Sequence, residues 1–332
     1  MKRYVVYMPD LDFFYYPYYD LFHRDNVQVI VFQEPVPMKT DNWLLKKLCS
    51  LCFSFNLNTK KFRMPFKRVW YPICTSIPDS EDDIVFLFWG TFTLCSKQYR
   101  KYLKKHFPNC KITFTMFDLA KWCLQETNDM KNIKEFADAV FSYDIDDVQV
   151  YDLIFHRDAF SVLPKDLIEG GSVDSDLNFC GKAKDRFEEI LAVYDSAKKA
   201  GVECDFNVPK LPQEAKIAYP ELAGSSYIPY IDYIKRIQGT NCLLEICQKG
   251  KKQYTLRPWE AIAYGKKILT NNKEFLYEEF YDPNYIQVYD DPASIDWDWV
   301  KEKRRIDYQY IDKLSIDKLL LDYDNVLDDT TM

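Results

Sequence analysis

The segment "DIVFLFWG", residues 83–90, runs six apolar residues without a break and then stops at a glycine. A strand with one wet face alternates apolar and polar residues. A strand apolar on both faces must be covered on both, as in a parallel sheet between helices. The neighbouring segments fit that demand. "RYVVYM" (3–8) and "VQVIVF" (27–32) read as short strands rich in β-branched and aromatic residues. "SKQYRKYLKKHF" (96–107) reads as a basic helix, and "CKITFTMFD" (110–118) and "DAVFSYD" (138–144) as further strands. Strand, helix, strand in series predicts a parallel sheet with helices on both faces.

The pattern then restarts. "SDLNFCGK" (175–182) reads as a strand, "DRFEEILAVYDSAKKAG" (185–201) as a helix stopped by Gly201, and "VECDFNVP" (202–209) as a strand. "YIDYIKRIQ" (230–238) is a helix, "CLLEICQ" (242–248) a strand, "RPWEAIAYG" (257–265) a helix closed by Gly265, and "KKILTN" (266–271) and "NYIQVYD" (284–290) strands. Residues 158–174 carry the Pro, Gly and Ser of a linker. The expected class is α/β, with two Rossmann-like domains facing across a cleft and a C-terminal helix. The expected domains are 1–165, 172–300 and a tail 301–332 that packs back on the first domain. Ligands of such folds bind at the carboxyl ends of the strands.

Charge and cysteine usage narrow the function classes. The chain of 332 residues carries a net charge of −7, which gives no general case for binding nucleic acid. Yet residues 42–78 hold no Asp or Glu and seven cations, Lys46, Lys47, Lys60, Lys61, Arg63, Lys67 and Arg68, so the rest sums to −14. Ten cysteines are scattered in apolar runs, as buried thiols of a reducing compartment are. "CSLC" (49–52) has no second pair and no adjacent His, and only three histidines exist, so no metal site is expected. The N-terminal apolar run is too short for a signal peptide, and no stretch of about 18 apolar residues occurs. The expected location is cytoplasmic, with peripheral contact to the inner face of the plasma membrane.

"YTLRPWE" (254–260) is the densest chemical signal. Thr255 is a plausible N-cap and Pro258 suits the first turn, so Thr255, Leu256 and the turn after them offer backbone N–H groups and a partial positive charge. That suits a phosphate, and Arg257 adds a fork of donors. Glu260, one turn in, can accept from ribose hydroxyls; equally, it can complement the helix dipole. A second basic helix start follows the strand at 175–182: Gly181, Lys182, Lys184 and Arg186 in "FCGKAKDR". Cations oppose the dipole at a helix N-terminus, so this cluster asks for an anion. Both starts would converge on one diphosphate.

"YIDYIKRIQGTNCLLEICQKGKKQYTLRPWEAIAYGKKILTNN" and "EFYDPNYIQVYD" resemble polysaccharide-biosynthesis glycosyltransferases of the GT-B fold, and more narrowly the capsular and lipopolysaccharide transferases of Bacteroides-type bacteria. "NFCGKAKDRFEEI" and "SYDIDDVQVYDLIF" match the same pattern upstream. The resemblance implies that the second domain binds a nucleotide-diphosphate sugar and the first a glycan or lipid-linked acceptor, without a metal or other cofactor. It implies that Glu260 contacts the donor nucleoside and that Arg257 and Lys182 face the diphosphate. One departure stands out. Many retaining members carry a second glutamate eight positions earlier, where this chain has Lys252. The retaining mechanism therefore does not carry over.

An inverting enzyme needs a base in the first domain. Asp10, Asp118 and Asp144 each follow a strand and are the candidates, with Asp118 favoured because its strand reads as buried; each also reads as a turn or helix cap. Gly90 and Thr91 in "FWGTFT" end another strand and would border the acceptor. A non-catalytic nucleotide-sugar-binding or scaffold subunit would keep Arg257 and Glu260 without a working base. A dehydrogenase is disfavoured, because no G-x-G-x-x-G follows the first strand. The basic stretch 42–70 interleaves its cations with Trp43, Phe53, Phe55, Phe62, Phe66 and Trp70, a mixture that suits an anionic membrane surface bearing the acceptor, or a plain amphipathic helix and loop.

Overall fold

A computed structural model describes residues 2–33, 35–54, 57–58, 64, 66–76, 83–90, 92–120, 124, 129–224, 227–248, 254–304 and 306–329. The chain divides into two compact units, Met1–Ala159 with Ile316–Met332, and Phe160–Ser315. Each is built on its own parallel sheet.

The first unit runs β1 (Arg3–Pro9), β2 (Val27–Phe32), α1 (Trp43–Phe53), β3 (Ile84–Trp89), α2 (Lys97–His106), β4 (Lys111–Met116), α3 (Met130–Phe136), β5 (Ala139–Ser142), α4 (Ile145–Tyr151) and β6 (Ile154–Phe155). The six strands lie in the order β2-β1-β3-β4-β5-β6, all parallel. All six residues of β3 are buried, as its unbroken apolar run demands. Side-chain alternation splits the strands between two cores. Val5, Tyr7, Phe86, Phe88, Ile112 and Phe114 face one side, with Tyr99 and Phe136 packed on them. Val6, Met8, Val85, Leu87 and Trp89 face the other. There Leu319, Leu320 and Tyr323 of the C-terminal helix cover them.

The second unit runs β7 (Ser175–Cys180), α5 (Phe187–Lys199), β8 (Cys204–Asn207), α6 (Gln213–Ala218), α7 (Tyr230–Ile237), β9 (Thr240–Glu245), α8 (Arg257–Tyr264), β10 (Lys267–Thr270), β11 (Ile286–Val288) and α9 (Trp297–Lys301); α10 (Ile316–Asp329) is the C-terminal helix. Its five parallel strands lie in the order β11-β10-β9-β7-β8. Leu177, Phe179, Leu244, Ile246 and Leu269 form one core face with Ile190 and Val193 of α5. Gly265 ends α8 at φ 59°, and a Cβ there would lie 3.0 Å from the Ile306 carbonyl, so both the left-handed turn and the close approach require glycine. The fold is the expected α/β pair of Rossmann-like sheets with a C-terminal helix. The strand at 242–248 begins and ends earlier than its apolar run suggested, which leaves Glu245 as the last residue of β9.

Two adjacent lysines show how tertiary contacts spend charge. Lys266 Nζ donates to the carbonyls of Gln238 and Thr240, at 2.7 and 2.9 Å, beyond the end of α7. Lys267, buried, donates to the carbonyls of Trp299, Val300 and Glu302 at the end of α9. Burial holds the Lys266 ammonium down to about 8 and lowers that of Lys267. Carbonyls at helix ends are the partners such cations find.

Candidate functional site

In the second sheet the chain starts at β7, steps to β8 on one side, then returns to β9 on the other. The gap between the carboxyl ends of β7 and β9 is therefore the topological switch point, where ligands of open α/β sheets bind. Two arginines are fixed there. Arg257, the first residue of α8, donates through Nη2 to the Cys180 carbonyl at the end of β7. Arg186, just ahead of α5, donates through Nη1 to the Ile246 carbonyl beyond β9 at 2.6 Å, and through Nη2 to the Lys182 carbonyl at 2.9 Å. Each guanidinium thus ties one helix start to one strand end. Their mutual repulsion, after burial, helps lower the Arg186 pKa.

Glu260 is 1 % exposed. Its Oε1 accepts from the Tyr230 hydroxyl at 2.9 Å, and its Oε2 from the Tyr233 hydroxyl at 2.9 Å and Arg257 Nη1 at 2.7 Å. Arg257 Nη1 also donates to the Tyr233 oxygen, and the guanidinium lies 4.5 Å from that ring's centre. Glu260, expected to contact the donor nucleoside, has three internal donors and almost no exposure, and its carboxylate holds Arg257. Tyr230 and Tyr233, three apart on the buried face of α7, were not singled out; their spacing on an amphipathic helix was the available signal.

Thr255 does not cap α8 in the usual position, since Leu256 is the N-cap residue; instead its hydroxyl accepts from the Arg257 amide at 3.1 Å, and its own amide donates to Glu245 Oε1 at 3.0 Å. Glu245 was missed by the sequence reading, because the apolar run hid that the strand ends on it. It is 1 % exposed, and burial pushes its carboxyl up to about 7 against the pull of Thr255, Arg257 and Arg186. Lys182 and Lys184 are exposed just beyond β7, Lys184 in a left-handed turn at φ 49°. Gly181 donates its amide to the Asn207 carbonyl, and a Cβ there would make only ordinary contacts, so close approach is not what this glycine supplies. Gly224 is the stricter position: a Cβ would fall 1.2 Å from Asn207 Oδ1.

The carboxyl edge of the first sheet carries the expected carboxylates, two of them bonded to nearby backbone amides and one to a side chain. Asp144 Oδ1 accepts from the Asp147 amide at 2.7 Å and caps α4. Asp118 is exposed and bonds the amide of the next residue, Leu119, at 2.9 Å. Asp10 is exposed and accepts from Gln33. Gly90 turns at φ 59° after β3. Thr91 lies outside the described residues, as do Lys60, Lys61 and Arg63. Beyond β6 the sequence reading missed buried His156 and half-buried Asp158. Burial raises the Asp158 carboxyl to about 7 and lowers the His156 imidazole to about 4, and Tyr18 lies against the aspartate.

On α1 and the turn after it, Trp43 is 71 % and Phe66 76 % exposed; Leu44, Leu48, Leu51 and Val69 are exposed as well. Lys47 and Arg68 are exposed and Lys46 and Lys67 half-buried in the same segment. Among the described residues no group of three metal-ligating side chains occurs, and no helix is long and apolar enough to cross a membrane.

No family model and no curated protein matches the chain. Its fold is similar to several solved structures, of which two reach a TM-score of 0.50 or more among those compared. One is an alpha-glucosyltransferase in complex with UDP-glucose and DNA containing an abasic site, at 11 % identity and a TM-score of 0.55 over 100 % of both chains. The other is an alpha-glucosyltransferase in complex with UDP and a 13-mer DNA, at 13 % identity and a TM-score of 0.50 over 96 % of this chain and 92 % of that one. At such identities the likeness is one of fold, that of the GT-B glycosyltransferases.

Proposed function

We propose that the chain is a glycosyltransferase that takes a nucleotide-diphosphate sugar at the carboxyl ends of β7 and β9. The observation that carries this is the pair of arginines fixed at the switch point, Arg257 on the Cys180 carbonyl and Arg186 on the Ile246 carbonyl. Glu260 offsets the charge of Arg257, while Arg186 keeps a buried N–H without a partner, so the switch point still has a donor for an anion. The starts of α5 and α8 add their dipoles, and Lys182 and Lys184 add exposed positive charge. Pre-oriented donors of this kind stabilise a departing diphosphate where its charge develops. Glu260, Tyr230 and Tyr233 are positioning residues that set the Arg257 fork.

The acceptor is a growing surface glycan or its lipid-linked carrier. The segment with Trp43, Leu44, Phe66, Lys47 and Arg68 would bring the protein to an anionic membrane, the aromatic groups entering the headgroup layer and the cations meeting lipid phosphates. Asp118, Asp144 and Asp10 are the candidate bases, all beyond strands of the first sheet, with Asp10 and Asp118 exposed. Charge reversal at Lys46, Lys47, Lys67 and Arg68 should release the protein from vesicles holding anionic lipid. Equal binding of wild type and variant would remove the membrane from this reading. The two solved likenesses hold DNA, so a duplex DNA arm belongs in the acceptor assay. Transfer to DNA and not to lipid-linked glycan would replace the acceptor class.

The donor is tested by thermal unfolding of wild type and Arg257→Ala with UDP, GDP, ADP, CMP and TDP and their sugar conjugates. A ligand at about 100 times its dissociation constant adds roughly 2.7 kcal/mol. One nucleotide should stabilise the wild type and not the variant. No shift with any of them would overturn the donor site. Binding without turnover on any acceptor would instead favour a nucleotide-sugar-binding subunit.

A further inference from the structure

We infer that Glu245 is a ligand-binding group of the switch-point site that acts as its neutral acid: when a diphosphate diester arrives, Oε2 takes a proton from solvent and the new O–H donates to a phosphate oxygen. This rests on the donor reading above and deepens it.

The geometry begins with two orphaned atoms. Glu245 Oε1 accepts from the Thr255 amide, while Oε2 is buried with no hydrogen-bond partner. Arg186 Nε is likewise buried with no partner. Leaving a buried polar group unsatisfied costs about 1–3 kcal/mol, and the two orphans do not close on each other. Glu245 ends β9, and Arg186 hydrogen-bonds the carbonyl of the next residue along, Ile246. Both therefore belong to the strand end where the anion is placed. Glu260 cannot play this part, since three donors already occupy its carboxylate.

An ionised Oε2 would repel a phosphate, and a protonated one would bind it. The groups that bear on Glu245 are the Thr255 amide and hydroxyl from the segment entering α8, Arg257 on α8, Arg186 ahead of α5, and the neutral Thr270 paired beside it on β10. The arginines and Thr255 favour the carboxylate, and burial favours the acid, leaving the free group close to balance near neutrality. A bound diphosphate neutralises the guanidiniums and adds like charge. Both changes move Glu245 to the acid. The Oε2–H and the Arg186 N–H would then be two donors facing a ligand that only accepts.

The test is calorimetric titration at pH 7.5 in two buffers of different ionisation enthalpy. The probes are UDP-glucose, GDP-mannose, ADP-glucose and dTDP-glucose, whose diphosphates are esterified at both ends and do not titrate near neutrality. The wild type should take up a fraction of a proton per ligand, and its affinity should fall about fivefold from pH 7 to pH 8 if the free carboxyl titrates near 7. Glu245→Gln keeps a donor at that atom without the charge. It should bind with no proton uptake and a flat pH profile. Asp158→Asn, which removes the other acid raised to about 7, should keep the uptake. Wild-type binding without proton exchange, or uptake that survives Glu245→Gln, overturns this inference and leaves the donor site standing. No binding of any probe overturns both.

Discussion

Counted from the start of each unit, both sheets follow one order: second strand, first, third, fourth, fifth. Their carboxyl edges nonetheless carry different chemistry. In the second unit two arginines span from helix starts to strand-end carbonyls, and a buried glutamate keeps one oxygen unused. In the first unit the carboxylates are taken up locally: Asp144 caps α4, Asp147 accepts from the Ala120 amide at 2.6 Å, and Asp118 bonds its neighbour. The shared order supplies a place for a ligand, and the side chains decide whether an anion is wanted there.

Arg257→Ala should break that contrast most. It leaves Glu260 buried with two phenols and no cation, which costs roughly 3–5 kcal/mol. Urea unfolding should show the loss, and the nucleotide-induced thermal shift should vanish with it. Arg257→Lys should not restore the shift, because one ammonium cannot serve Tyr233, Glu260 and the Cys180 carbonyl together. A lysine variant that responds to nucleotide as wild type does would show that charge alone suffices.

Asp158→Asn sharpens the comparison, since it removes an acid raised to a similar value in the other unit. Its carboxyl is raised from 3.8 to about 7, so the folded state holds more protons than the unfolded one between those values. The aspartate therefore subtracts stability as pH rises from about 4 to 7, and the deficit is constant above. The variant should gain on wild type across that window, by on the order of 4 kcal/mol at most. His156, lowered to about 4, has the opposite sign: its contribution is lost as pH falls from 6.5 to 4. Taking the difference between variant and wild type in unfolding series at fixed pH isolates the aspartate. The nucleotide shift should be unchanged.

The smallest effect belongs to the cap. Asp144→Ala removes the acceptor of the Asp147 amide and should cost about 1 kcal/mol, with turnover intact. A collapse of turnover at unchanged stability would single out Asp144 among the candidate bases.

Much of this was legible in the chain. The run at 83–90 required a strand covered on both faces, and β3 is one. Gly265 marked the end of α8, and "YTLRPWE" marked a helix start that gathers Arg257 and Glu260. The short helices α3, α4 and α6 escaped, because six or seven residues hold too few turns to show a period. At the site the failures share a cause. Periodicity reports which face of an element is buried, but not which polar group meets it there.

The sequence by itself determined the alternation of strands and helices, and hence two parallel sheets, because an apolar pattern dictates which surfaces must leave water. It also fixed which residue types stand at the strand ends. Only the tertiary structure decided their employment. Tyr230 and Tyr233 arrive from α7 to consume Glu260, β9 stops on Glu245 with one oxygen unpartnered, and Lys266 and Lys267 are spent on helix ends. A buried charge is governed by the few atoms within hydrogen-bond reach, and some of those come from segments far away in the chain, as Cys180 does for Arg257 at a separation of 77.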